Sequence, residues 1–257
     1  MPAAVLTIGP VTFHWYGIII SFSILAGFLL TSLRAKSYQI SQDIVDTLFL
    51  LILPAGIIGA RAYHVLDYFE YYQQNPIQIL FIWQGGLGIY GGLIAAVIVV
   101  YGFAKLKKLS VLRLLDLAAP AVALAQSVGR WGNFVNYEAF GPPANLPWAI
   151  SIPEEVRPTQ FLTFEKFHPA FLYESVANFL IFIILMVAAA KVRQKPGFVF
   201  ALYVMLYSIT RLLIENFRLN TWVIANFKVA QIISFVLLIY ALALLTILFK
   251  RAKVGYE

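Results

Sequence analysis

Residues Gly129 to Gly141 read G-R-W-G-N-F-V-N-Y-E-A-F-G and follow the apolar run Leu112–Val128. Thirteen residues hold a cation (Arg130), a carboxylate (Glu138), two carboxamides (Asn133, Asn136) and three glycines (Gly129, Gly132, Gly141). If the preceding run lies in a membrane, such groups are expensive: a charge at the bilayer centre costs roughly 2.5–3.5 kcal/mol on insertion scales. A chain that keeps them there has a use for them.

The run before this stretch is one of seven. A spanning helix needs about 20 mostly apolar residues to cross roughly 30 Å of hydrocarbon. Candidates lie at Trp15–Leu33, Ile44–Val65, Gly88–Leu106, Leu112–Val128, Pro169–Ala190, Gly197–Leu213 and Val229–Phe249. The second carries Pro54 and Gly56, which suggest a kink, and the fourth is interrupted by Asp116 and Pro120. The chain is 61% hydrophobic and 12% charged, against about 25% charged in soluble domains. The expectation is an all-α polytopic membrane protein, with residues 1–257 forming a single integral membrane domain. Met1–Pro10 has no Lys or Arg, so the positive region of a removable signal is missing. There is no cysteine, so any thiol chemistry must use a substrate's thiol.

Charge orients the spans. Arg34, Lys36, Lys105, Lys107, Lys108, Arg113, Lys191, Arg193, Lys195, Lys250, Arg251 and Lys253 all fall on one side of a seven-span chain, twelve of the 19 Lys and Arg. The positive-inside rule then puts the N-terminus outside and the C-terminus in the cytoplasm. The net charge of +7 is explained by orientation, and no nucleic acid is implied. Arg61, Arg130 and Arg211 sit toward the outer ends of their spans, so the functional surface should face outward. Pro142–Phe167, rich in proline, is expected to form a small outward-facing cap. Asp67–Gln84, rich in aromatics and free of Lys and Arg, reads as an interfacial segment.

Several constellations could carry chemistry. Arg130 and Asn133 share a helix face; Gly132 and Gly141 suggest that the backbone then leaves the helix, so that Glu138 folds back. One reading is a structural Arg130–Glu138 ion pair, the other an arginine fork holding an anion with Glu138 orienting it. Arg211, Glu215 and Arg218 also share a face; a salt-bridge chain and a second phosphate ligand at Arg211 are both open. Gly85–Leu93, G-G-L-G-I-Y-G-G-L, is either a tight helix seam or a glycine loop opening a helix, with the Tyr90 phenol exposed. His168 and Glu174, in H-P-A-F-L-Y-E, open span five, and Tyr16 stands at the outer edge of span one. Neither a metal-ligand cluster nor a phosphate loop appears, so no metal or cofactor is expected.

Gly129–Gly141 resembles the signature G-R-x-G-N-F-x-N-x-E-x-x-G of bacterial phosphatidylglycerol–prolipoprotein diacylglyceryl transferases. Family blocks are also matched at Trp15–Gly17, Gly59–Arg61, Gly85–Leu93, His168–Glu174 and Arg211–Arg218, in the family order. The resemblance implies a seven-span enzyme of the bacterial cytoplasmic (inner) membrane. Its partners would be phosphatidylglycerol and the lipobox cysteine of an exported preprolipoprotein signal peptide. Diacylglyceryl would move to the thiol and glycerol phosphate would leave. It further implies a catalytic set of Arg130, Glu138, Arg211 and Tyr90. Arg130, Arg211, Asn133, Asn136, Tyr16 and Gly141 would bind the lipid. His168, Glu174, Glu215, Arg218 and Arg61 are secondary candidates. Arg130 and Arg211 are expected to converge on one phosphate, with Glu138 the first candidate base and Glu174 or His168 the next. Some members have histidine where this chain has Tyr90, and a phenol with a pKa of about 10 is a poor base at neutral pH. A transporter, or a lipid-binding scaffold without turnover, is the alternative use of the same intramembrane charges.

Overall fold

The computed structural model describes residues 4–8, 11–192, 195–219, 221–225 and 227–254. Arg193, counted above among the orienting cations, lies outside them, as do the side chains of Arg251 and Lys253. The helices are α1 (Trp15–Ala35), α2 (Gln42–Asp67), α3 (Phe69–Gln74), α4 (Ile89–Leu106), α5 (Val111–Val135), α6 (Ala170–Val192), α7 (Phe198–Ile214) and α8 (Val229–Val254). Three short antiparallel ribbons join them: β1 (Ala4–Ile8) with β2 (Val11–His14), β3 (Ile150–Ser151) with β4 (Lys166–Phe167), and β5 (Val223–Ile224) with β6 (Phe227–Lys228). Among the described residues, seven helices are long and apolar enough to cross a membrane; α3 is too short. The chain divides into two compact units, Met1–Leu30 with Leu115–Glu257, and Thr31–Leu114.

In the larger unit α5 is the inner helix. Of its most apolar window 44% is buried, against 11% for α8, whose Phe235, Val236 and Ile239 are exposed. A core of Ala119, Ala123, Ile181, Leu185, Ala189 and Val199 joins α5, α6 and α7. Hydrocarbon offers no hydrogen bonds, so polar groups at this depth pair inside the protein. Ser127 and Ser175 each donate to the other's backbone carbonyl at 2.8 Å, tying α5 to α6. Asp116, 1% exposed, accepts from the backbone N–H groups of Gly197 (2.6 Å) and Phe200 (2.7 Å). It therefore caps the N-terminus of α7 from another helix, where the helix dipole favours a negative charge. Asp116 and Pro120 do not break the fourth span. The sequence ended that span at Val128, but the helix runs on to Val135.

The segment from Phe140 to Phe167 is ordered. Phe140, Ile152 and Phe167 form a small buried core, with Ile150, Phe161 and Leu219 packed against it. Arg157 pins the loop by donating to the carbonyls of Ile152 (2.8 Å) and Leu162 (2.9 Å).

In the Thr31–Leu114 unit, α2 and α4 meet along a glycine seam. A Cβ on Gly59 would strike Gly91, one on Gly91 would strike the Gly59 carbonyl and Tyr63, and one on Gly88 would strike Tyr63. Backbone contact of this kind needs glycine on both sides. The same nine residues also form the expected loop, with Gly85 and Gly86 at φ 91° and 72° before α4 opens at Ile89. Both readings of the motif therefore describe part of it.

Candidate active site

The site is built where α5 ends. The helix continues through Gly132, contrary to the sequence expectation, because Gly132 lets the Tyr16 ring lie on its backbone: a Cβ there would meet that ring at 3.0 Å. The chain turns only after Val135, with Tyr137 and Ala139 both at φ 53°. The left-handed conformation costs a side-chain-bearing residue roughly 1–2 kcal/mol, and such strain gathers at functional sites. What it achieves is visible in the hydrogen bonds. The Glu138 N–H reaches back to the Asn133 carbonyl at 2.8 Å. Its carboxylate then accepts from the Asn133 carboxamide at Oε2 (3.1 Å) and from the Asn136 carboxamide at Oε1 (3.2 Å). Glu138 thus folds back, but through Tyr137 and Ala139 rather than at the glycines, and it stays exposed.

Arg130 does not contact Glu138 directly. Its Nη1 donates to Asn133 Oδ1 at 3.3 Å, so Asn133 stands between the two charges. The carboxylate that Arg130 meets is Glu174 on α6, Nη2 to Oε2 at 2.6 Å. The other oxygen of Glu174 receives Arg211 at 3.0 Å and Arg218 at 3.3 Å. Arg211 also pairs with Glu215 at 2.6 Å. Arg218 leaves the face it was expected to share with Arg211 and Glu215. The helix tightens into a 3-10 turn at Glu215–Phe217, and Arg218 is extended. Arg130 and Arg211 therefore meet on one carboxylate, Glu174, 2% exposed. Three guanidinium groups face two buried carboxylates, which leaves one positive charge in excess. Arg130 is the most open of the three, with 22% of its side chain exposed.

The remaining candidates of this unit frame that cluster. Tyr16 lies with its ring on Gly132. Gly141 is a packing residue. A Cβ there would strike the Phe217 carbonyl and His168 Cβ, and its N–H is already used by the His168 carbonyl at 2.8 Å. His168 Nδ1 lies 3.0 Å from the Tyr173 hydroxyl, which also accepts from the Trp148 indole at 3.1 Å. The Tyr173 hydroxyl thus ties His168 to Trp148. Tyr173 and Trp148 were not singled out from the sequence; their spacing from His168 has no helical period. Ile18, Ile19 and Phe22 on α1, with Ser127, Val128 and Trp131 on α5, line an apolar groove of about 430 Å³.

In the Thr31–Leu114 unit, Arg61 is fully occupied by structure. Nε donates to Ile79 O (2.9 Å), Nη1 to Gly85 O (2.8 Å) and Gly86 O (3.0 Å), and Nη2 to Gln78 O. The guanidinium also lies over the Tyr72 ring at 5.1 Å. It is a clamp for the glycine loop. Tyr90 is 39% exposed, with its ring 6.1 Å from that of Tyr63.

A family model described as prolipoprotein diacylglyceryl transferase matches residues 3–247. The phosphatidylglycerol–prolipoprotein diacylglyceryl transferase of Nostoc sp. is 40% identical over 251 residues, covering 96% of this chain and 89% of that protein. The one from Finegoldia magna is 40% identical over 237 residues, covering 92% and 91%. The one from Thermotoga maritima is 41% identical over 234 residues, covering 90% and 80%.

Proposed function

Because this chain belongs to the prolipoprotein diacylglyceryl transferase family, we propose that it moves the diacylglyceryl group of phosphatidylglycerol onto the lipobox cysteine of a preprolipoprotein. One observation carries the assignment to these residues. Three guanidinium groups from α5, α7 and the segment after α7 meet at Glu174, and with Glu215 on Arg211 their ion pairs leave one positive charge in excess; a phosphodiester headgroup carries one negative charge. The transporter and lipid-scaffold readings of the same charges are not favoured once the family is known.

The reaction is alkylation of sulfur. The thiolate forms a bond to the glycerol carbon, the bond from that carbon to the phosphate oxygen breaks, and its electron pair stays on the phosphate. Negative charge on that leaving group rises in the transition state. Cations fixed in advance, away from water, stabilise it, and such preorganised charge is usually the largest catalytic term. Arg130 is the cation open to the lipid, Arg211 and Arg218 stand behind it, and Glu215 holds Arg211. The thiol proton goes to Glu138. At pH 7 about 3% of a thiol with pKa near 8.5 is already thiolate, so a weak base suffices. Glu138 is suited to this because its two carboxamide partners hold it in place while leaving it exposed. Asn133 and Asn136 act chiefly through Glu138, Tyr16 lines the approach, and the apolar groove between α1 and α5 accepts an acyl chain. Gly141 and Arg61 serve the fold, and His168 is engaged with Tyr173 rather than with the arginine cluster.

The protein is a multi-pass membrane protein. We place it as one integral domain in the bacterial cytoplasmic membrane, N-terminus and Pro142–Phe167 cap outside, C-terminus in the cytoplasm, on the asymmetry of Lys and Arg. The test of function is mass spectrometry of a lipobox peptide incubated with phosphatidylglycerol vesicles and purified protein. The peptide should gain one diacylglyceryl unit on cysteine; an unmodified peptide would refute the assignment.

A further inference from the structure

We propose that Glu174 is a built-in competitor for the lipid phosphate: it holds the arginines itself and takes them back from the departing product. This rests on the transferase reading above. Glu174 lies in the first turns of α6, 2% exposed, with Arg130 on Oε2 and Arg211 and Arg218 on Oε1. A carboxylate presents two oxygens to guanidinium forks much as a phosphate does. The terminal nitrogens of Arg130 are committed to Asn133 and Glu174, and those of Arg211 to Glu174 and Glu215. Each guanidinium has five N–H donors, and these contacts use two on Arg130 and two on Arg211, so the competition is electrostatic: a phosphate that engages both arginines shares their charge with the buried Glu174 carboxylate and repels it. Arg218 Nε is buried without a hydrogen-bond partner.

The charges change sign of advantage during turnover. The substrate phosphodiester carries one negative charge, matching the excess of one in the cluster. The product is a phosphomonoester, which carries about 1.5 to 2 negative charges at pH 7. Without Glu174 the cluster would hold two excess positive charges and would bind that product best of all. With Glu174 the arginines have a resident anion to return to, so binding is weakened in the product state and turnover is protected. Uniformly tight binding would not raise the rate. Glu174 is a positioning residue in this scheme, acting on the reaction through Arg130 and Arg211.

The test compares wild type with Glu174→Gln, using phosphatidylglycerol vesicles, a lipobox peptide and added glycerol phosphate as inhibitor. Glycerol phosphate should inhibit Glu174→Gln at a concentration at least tenfold lower, with kcat reduced at least tenfold and the KM for phosphatidylglycerol unchanged or lower. Unchanged or weaker inhibition overturns the proposal. So does a rise in KM together with the fall in kcat, the pattern expected of mere structural support. Should Glu174→Gln not fold, Glu174→Asp decides. Its carboxylate is one methylene further from the arginines, and inhibition should strengthen about threefold; wild-type inhibition there overturns the idea. A wild-type protein that transfers nothing would sink the transferase reading instead, so the two failures are distinct.

Discussion

Arg130 makes two contacts that a lysine could not make together, Nη1 to Asn133 and Nη2 to Glu174. An ammonium is a point charge without the planar fork. Arg130→Lys should therefore lose at least tenfold in kcat/KM for peptide labelling, and Arg130→Ala about 10³-fold, the scale for removing one preorganised stabiliser of transition-state charge. Wild-type labelling by Arg130→Ala would remove it from the mechanism. Glu138→Gln keeps the shape and loses the base, so kcat should fall about 10²-fold with the KM for phosphatidylglycerol within about twofold. Equal losses in kcat and in lipid binding would mean a binding role only. The sequence showed Arg130, Asn133 and Glu138 because all three stand in one thirteen-residue stretch. It paired Arg130 with Glu138 on nearness along the chain. The real partner, Glu174, comes from another helix, and a charge does not announce which distant charge it will meet.

The helices themselves were legible, since a run of about 20 apolar residues has few other uses. Their ends were not. Gly132 lowers helix propensity by about 1 kcal/mol relative to alanine, yet α5 passes through it because the Tyr16 ring packs there. The β1–β2 ribbon went unread because its pairing is set by the contact between strands, not by apolar length. Asp116 was read as an interruption, whereas it caps α7. Asp116→Asn should cost about 1–2 kcal/mol, seen as a fall of several degrees in the midpoint of thermal unfolding in detergent. An unchanged midpoint would show that the cap adds nothing. Gly141→Ala should destabilise by about 1–3 kcal/mol, the usual range for overpacking, because its Cβ would meet the Phe217 carbonyl; the same unfolding assay checks it.

At the scale of the whole molecule, orientation is the expectation that rests on sequence charge alone. The chain lacks cysteine, so single introduced cysteines report it cleanly. Gln160→Cys, in the cap, should react with an impermeant maleimide added to intact cells; Lys107→Cys, after α4, should react only after permeabilisation. The reverse pattern would invert the topology. Tyr90 is exposed on the Thr31–Leu114 unit, so Tyr90→Phe should fold normally. If its phenol serves the reaction through one hydrogen bond, worth roughly 0.5–1.5 kcal/mol, kcat/KM should fall several-fold; no change would confine Tyr90 to packing. The central idea is that the lipid phosphate competes with Glu174 for the place beside Arg130 and Arg211. An experimental structure of the protein in phosphatidylglycerol nanodiscs measures this directly. The phosphate should lie within hydrogen-bonding distance of the Arg130 guanidinium and next to Arg211, with at least one of their contacts to Glu174 lengthened. A headgroup seated elsewhere, with all four ion pairs intact, would contradict it.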